Sequence, residues 1–256
     1  MRKIVLAILY YEPELYDEAL DLASIIPNSS CQQLCQNEQL ELELYLYLRK
    51  DGLYLFSSSF KPINLLNFYS EFIVKRRASI HRELLIQAIG MREQNLSALD
   101  ITAGLGRDSI LMSLAGFNVT MIESNPYLAI ILNYLCGKFT SQLPSLKLIY
   151  GDSYKILTER NQNIYDLIYV DPMFNDGKKA LAKKDMQLID LLINQVSDVN
   201  INYSSHDLLA CAIDNCRNKV VVKRDNKQSS LSDKITVTYN KKGKTIRFDV
   251  YQCTKK

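Results

Sequence analysis

From Leu96 onward, short apolar runs take turns with helical patterns, and this alternation restricts the fold more than any other feature of the chain. The runs at 96–102, 119–122, 146–150, 165–170 and 220–223 are too short for helices. They are largely apolar, as strands buried on both faces of a parallel sheet are. Helical patterns fall between them at 107–115, 126–138, 185–196 and 205–217, the last with Ser204 or Ser205 as its N-cap. Segments 235–239 and 246–251, joined across Gly243, predict a closing hairpin. The expected fold is α/β and Rossmann-like: a mostly parallel seven-stranded sheet with an antiparallel C-terminal hairpin and helices on both faces.

Residues 1–75 follow a different pattern and predict a small N-terminal α+β unit ahead of a domain at 76–256. A strand is expected at 4–10 and a helix at 13–26, closed by Pro27. Leu42, Leu44, Leu46 and Leu48 alternate with Glu41, Glu43, Tyr45 and Tyr47, the period of a half-buried strand. Asp51-Gly52 then signals a hairpin into 53–56. Ile80, Leu84, Leu85, Ala88 and Ile89 share one face of a helix that Gly90 is placed to end.

Composition removes several classes. With 31 Lys+Arg against 28 Asp+Glu, a net charge of +3, the chain is neither a basic nucleic-acid coat nor an acidic tail. Its six cysteines form no C-x-x-C pair, and two scattered histidines add no zinc-ligand spacing, so no metal is expected. The thiols read as reduced and the protein as cytoplasmic. No apolar stretch approaches the ~18 residues of a membrane span, so no membrane partner is expected.

The first parallel strand runs into Ala103-Gly104-Leu105-Gly106 and then a helix. Glycine there lets the backbone turn tightly and approach a ligand at the carboxyl end of the sheet. Glu123 ends the second strand, where a carboxylate can accept hydrogen bonds from both ribose hydroxyls. Asp152 follows the third strand, where it could receive an adenine amine. The three converge on one edge and point to a nucleoside ligand. Position 109 is Ser where a dinucleotide fingerprint has its third Gly. S-adenosylmethionine (AdoMet) has no phosphate and tolerates that loss, and the terminal hairpin also favours it.

The fourth strand ends in Asp171-Pro172-Met173-Phe174, which resembles the [DNS]-P-P-[YFW] motif of amino-methyltransferases. An exocyclic base amine is a poor nucleophile, because its lone pair is delocalised into the ring. A carboxylate and a carbonyl that accept its N–H groups favour attack and stabilise the developing positive charge. Asp171 would supply the carboxylate, Pro172 would fix the turn, and Phe174 would stack on the base. Basic groups at Lys75-Arg76-Arg77 with Arg82, Lys178-Lys179 with Lys183-Lys184, Lys223-Arg224, and Lys241-Lys242 with Lys244 and Arg247 could bind RNA phosphates if they share the strand-end face.

Taken together, Asp100-Ile101-Thr102-Ala103-Gly104-Leu105-Gly106-Arg107-Asp108, Glu123-Ser124-Asn125-Pro126, Tyr169-Val170-Asp171-Pro172-Met173-Phe174, Lys183-Lys184-Asp185-Met186, Val220-Val221-Val222-Lys223-Arg224 and Arg247-Phe248-Asp249-Val250-Tyr251 resemble the ribosomal RNA small subunit methyltransferase J family. The resemblance covers roughly residues 72–252. It implies a class I AdoMet-dependent methyltransferase acting on a guanine N2 amine, with 16S rRNA or the small ribosomal subunit as partner. It also implies cofactor contacts at Arg107, Asp108, Glu123, Ser124, Asp152, Ser153 and Asp171. The chain departs from the family where Ala78-Ser79-Ile80-His81-Arg82-Glu83 replaces a Gly-rich stretch, and where Asn175 and Asp225 replace prolines. The residues alone leave open an amino-methyltransferase of adenine or cytosine in DNA, a non-catalytic AdoMet-binding assembly factor and, more distantly, a dehydrogenase. No Pro-Cys pair is present for cytosine C5 chemistry.

Overall fold

The computed structural model describes residues 7–34, 44–57, 60–90, 93, 95–159, 165–172 and 203–253. The chain divides into two compact units, one of 1–74, 125–138 and 176–199, the other of 75–124, 139–175 and 200–256. Among the described residues no helix is long and apolar enough to cross a membrane.

The first unit holds β1 (Ala7–Tyr10), α1 (Tyr16–Ser24), β2 (Ser30–Gln33), β3 (Leu44–Arg49), β4 (Gly52–Ser57) and β5 (Phe60–Asn64), which leads into α2 (Leu65–Arg77). Its sheet runs β2-β1-β3-β4-β5. The leucine alternation does what its period predicts. Leu46, Leu48, Leu53 and Leu55 are buried with Ile8, while Tyr45 stacks on Phe56 and Tyr47 on Tyr54. Arg49 pairs with Gly52, so the hairpin turn is Lys50-Asp51 and Gly52 opens β4 with φ +136°. β2 is polar (Ser-Cys-Gln-Gln), and no alternation in its side chains announces it; its backbone pairs in parallel with β1.

In the second unit, α3 (Leu84–Ile89) ends at Gly90 with φ +64°. The helix expected across 80–89 is split, because Glu83 is extended between a 3-10 turn at Ile80–Arg82 and α3. Then come β6 (Ser97–Asp100), α4 (Arg107–Leu114) and β7 (Asn118–Glu123). The helix that follows β7, α5 (Pro126–Lys138), groups with the first unit, where Lys138 Nζ meets Glu18 Oε1 at 2.7 Å. The second unit resumes with β8 (Leu146–Tyr150), α6 (Ser153–Glu159), β9 (Tyr165–Val170), α7 (Ser205–Asp214), β10 (Cys216–Asp225), β11 (Tyr239–Lys242) and β12 (Ile246–Gln252). The helix expected at 185–196 lies outside the described residues.

The large sheet has the order β11-β12-β10-β9-β6-β7-β8. β6 to β10 are mutually parallel, and β12 is antiparallel to both β10 and β11. Leu167, Ile168, Tyr169 and Val170 in β9 are all at most 1% exposed, which explains why that strand shows no alternation. Ser204 caps α7 in a reciprocal box with Asp207. The hairpin begins later than expected: β11 is Tyr239–Lys242, not 235–239. Ile235 and Val237 instead pack against the core around Val222 and Tyr251, so their apolar spacing reflects burial without strand pairing.

Candidate active site

The carboxyl ends of β6, β7 and β9 meet at the glycine turn. Gly104 and Gly106 both adopt left-handed backbone, φ +54° and +67°, which favours glycine. The Gly106 N–H donates to the Ala103 carbonyl at 2.7 Å and closes the turn, and Gly106 caps α4. The Gly104 N–H donates to Glu123 Oε2 at 2.8 Å, which ties the turn to the end of β7. A methyl group on Gly104 would find only the Thr102 carbonyl, at 3.9 Å, so space is open beside the turn. Ser153 Oγ donates to the Ile101 carbonyl and joins the start of α6 to the end of β6. Asp152 serves as the cap of α6: Oδ1 accepts the Lys155 N–H at 2.8 Å and Oδ2 accepts the Tyr203 hydroxyl at 3.3 Å. Ser124 follows β7 half-buried, and Arg107 opens α4 half-buried.

At the end of β9, the Asp171 N–H donates to Thr102 Oγ1 at 2.6 Å, which sets Asp171-Pro172 beside the β6 turn. Asp171 and Asp108 share one cation. Lys223 Nζ lies 2.8 Å from Asp171 Oδ2 and 3.0 Å from Asp108 Oδ2. The Tyr169 hydroxyl also donates to Asp108 Oδ2, at 2.7 Å. Burial pushes the Asp171 carboxyl up, and Lys223 opposes that shift. The Lys223 ammonium is held above its ordinary range by the two aspartates despite its burial. Phe174 lies outside the described residues.

The sequence pattern groups Lys223 with phosphate-binding cations, and the structure commits it to this internal bridge instead. Arg247 is likewise internal: its guanidinium grips Asp249 at 2.8 and 3.0 Å with the pair buried. Arg76 pairs with Glu83 at 2.8 Å. The group at 178–184 lies outside the described residues. One signal does point to Lys223: a cation that directly follows the apolar run Val220-Val221-Val222 lies toward the carboxyl end of a parallel strand, the same edge as Asp171.

Asp100 is a further residue of the site that strand-end reasoning does not single out. It is 1% exposed; Oδ1 accepts the Thr102 N–H at 3.0 Å and Oδ2 the Ser109 hydroxyl at 2.6 Å, so it shapes the turn from below. Burial raises its pKa to about 7. The unfolded chain releases this proton near the ordinary 3.8. Stability from Asp100 is therefore full at low pH and falls as pH rises from about 4 to about 7, by up to about 1.4 kcal/mol per unit. Asp100→Asn is expected to flatten that slope in urea unfolding at pH 5, 6 and 7. An unchanged slope would mean that Asp100 ionises freely.

The residues fit AdoMet. An acid sits at the end of β7, open space adjoins a glycine turn, and Ser109 is buried on Asp100 where a pyrophosphate site has its third glycine. The strand order, turn and acid placement of the large sheet are those of a class I AdoMet-dependent methyltransferase. Residues 29–253 match the family model described as putative SAM-dependent methyltransferase. Two relatives are named ribosomal RNA small subunit methyltransferase J. The one from Acinetobacter baylyi is 31% identical, over 86% of this chain and 87% of its own length. That from Alcanivorax borkumensis is 34% identical over 68% of each chain. The solved structure of a SAM-dependent methyltransferase from Neisseria gonorrhoeae superposes with a TM-score of 0.66 at 23% identity, over 96% of this chain and 95% of that one, which shows a common fold. The chain belongs to the ribosomal RNA small subunit methyltransferase J family of SAM-dependent methyltransferases.

Proposed function

We propose that the protein methylates the exocyclic N2 amine of a guanine in 16S rRNA of the small ribosomal subunit. The carrying observation is Asp171: a carboxylate anchored by Lys223, followed by Pro172, at the end of the strand beside the glycine turn. AdoMet, when bound, supplies the methyl group on its sulfonium. Gly104, Gly106 and the start of α4 would receive its methionine part, and Glu123 its ribose. Asp171 would accept an N–H of the amine and fix its lone pair toward the methyl. A strong base is unnecessary, since the nitrogen becomes acidic once alkylated and its proton would pass to Asp171 or to water. The names of the relatives support rRNA over DNA. The test is incubation with labelled AdoMet and small subunits lacking the modification, followed by nucleoside identification. Labelled N2-methylguanosine is expected. A methylated adenine or cytosine, or no product with AdoMet still bound, would overturn the assignment.

An RNA substrate also needs cations near the reacting edge. Through the sheet register, Lys242 pairs with Arg247 and Arg247 with Arg224, while Lys241 pairs with Phe248 and Phe248 with Lys223. Lys241 and Lys242 thus stand level with the carboxyl end of β10, and both are exposed together with Lys244. Replacing all three with Glu is expected to raise the KM for subunits at least tenfold. The salt slope should flatten by about one for each phosphate that is no longer neutralised. AdoMet affinity should not change. Equal KM at 50 and 200 mM salt in both proteins would exclude this row from RNA binding.

A further inference from the structure

One ammonium of the second unit joins the start of α4, the end of β9 and β10. Lys223 Nζ engages Oδ2 of Asp171 and Oδ2 of Asp108. Among the described residues, Asp171 Oδ1 makes no hydrogen bond, and the side chain keeps 35% of its surface. The backbone of Asp171 is fixed separately, by Thr102 Oγ1. Asp171 is therefore held at two points, its main chain by Thr102 and one carboxylate oxygen by Lys223, which leaves the second oxygen without a hydrogen bond among the described residues.

We propose that Lys223 is a positioning residue for methyl transfer: its grip on Oδ2 turns Asp171 Oδ1 toward the substrate amine and keeps Asp171 anionic beside Asp108. The inference rests on the reading of Asp171 as the amine acceptor. The groups that face Asp171 among the described residues are Lys223 and Arg224 from β10, Asp108 from α4, Asp100 from β6 and Tyr169 from β9. Burial and the Asp108 charge favour protonation of Asp171; Lys223 and Arg224 favour the anion. Without the ammonium, two carboxylates lie within reach of one vacated point, and like charges so close do not both ionise readily. A proton on Asp171 would compete with the amine for the same lone pairs.

Two measurements test this on the full chain, with Lys223→Met, Lys223→Arg and the Lys223→Met/Asp108→Asn double variant. Carboxyl carbon NMR titration of protein labelled at Asp needs no RNA. It is expected to show one midpoint raised by at least one pH unit in Lys223→Met and returned toward the wild-type value in the other two. The double variant lacks the like charge, so it carries the test if the single one fails to fold. Turnover on small subunits should fall at least tenfold in Lys223→Met, and the acid limb of its pH profile should move up by the same amount as the titration midpoint, while Lys223→Arg stays close to wild type. An unmoved midpoint, or an acid limb that stays in place, overturns the proposal. If the wild-type protein makes no N2-methylguanosine, the substrate reading falls, and the titration still decides whether Lys223 holds Asp171 ionised.

Discussion

Asp171→Ala is expected to lower turnover on small subunits at least 100-fold while the Kd for AdoMet stays within about threefold. The reasoning is differential: an acceptor aimed at a charge that develops during reaction acts mainly in the transition state, and losing one such group costs about 10²–10³ in rate. Asp171 sits at the end of β9 with its main chain tied to Thr102 and its carboxylate tied to Lys223, so truncation removes the acceptor without releasing the turn at Gly104, which Glu123 holds. It also leaves Lys223 paired with Asp108 alone, a balanced pair, so the fold should survive. Single-turnover methylation and calorimetric AdoMet binding check the two halves. Unchanged turnover removes the catalytic role. A Kd that weakens as much as the rate places Asp171 in the cofactor pocket, a contact that the family resemblance also implies.

The sites legible in the sequence are those where local chemistry and strand position coincide. Gly104, Gly106 and Glu123 can be read because a parallel sheet puts successive strand ends on one edge, and the structure joins Gly104 to Glu123 directly. Asp152 is at the expected strand end and also caps α6, with Oδ1 accepting the Lys155 N–H and Oδ2 the Tyr203 hydroxyl. What stays hidden depends on partners far apart in the chain. Lys223 reaches Asp108 across 115 residues and Asp171 across 52, and no local pattern announces such a pairing. The cations also show why charge counting misleads. Lys223, Arg247 and Arg76 look alike as surface groups in the sequence, yet each is held by an acid, whereas Lys241, Lys242 and Lys244 are exposed. The shift of β11 to Tyr239–Lys242 has a similar origin: apolar spacing at Ile235 and Val237 reports burial, and only hydrogen-bond register identifies a strand.

Glu123→Ala should act on the other half of the reaction, weakening AdoMet binding about 10- to 100-fold while kcat at saturating AdoMet remains near the wild-type value. Hydrogen bonds from hydroxyls to a charged carboxylate contribute about 1.5–3 kcal/mol, or roughly 10- to 150-fold, which sets that range. The carboxylate also holds the Gly104 N–H at 2.8 Å, so its removal takes one tether from the turn. Glu123→Gln separates the two effects. The amide oxygen can still accept from Gly104, but the charge is gone, so Gln should fall between Glu and Ala if the ribose contact matters and match Glu if only the tether does. Since Glu123 would touch the cofactor and not the amine, its loss should raise the KM for AdoMet and leave the rate of the bound complex alone, the reverse of the Asp171 pattern. Equal AdoMet affinity in Glu123→Ala and wild type would exclude the end of β7 from the cofactor site. A fall in kcat as large as the rise in KM would mean that the glycine turn also positions the methyl group.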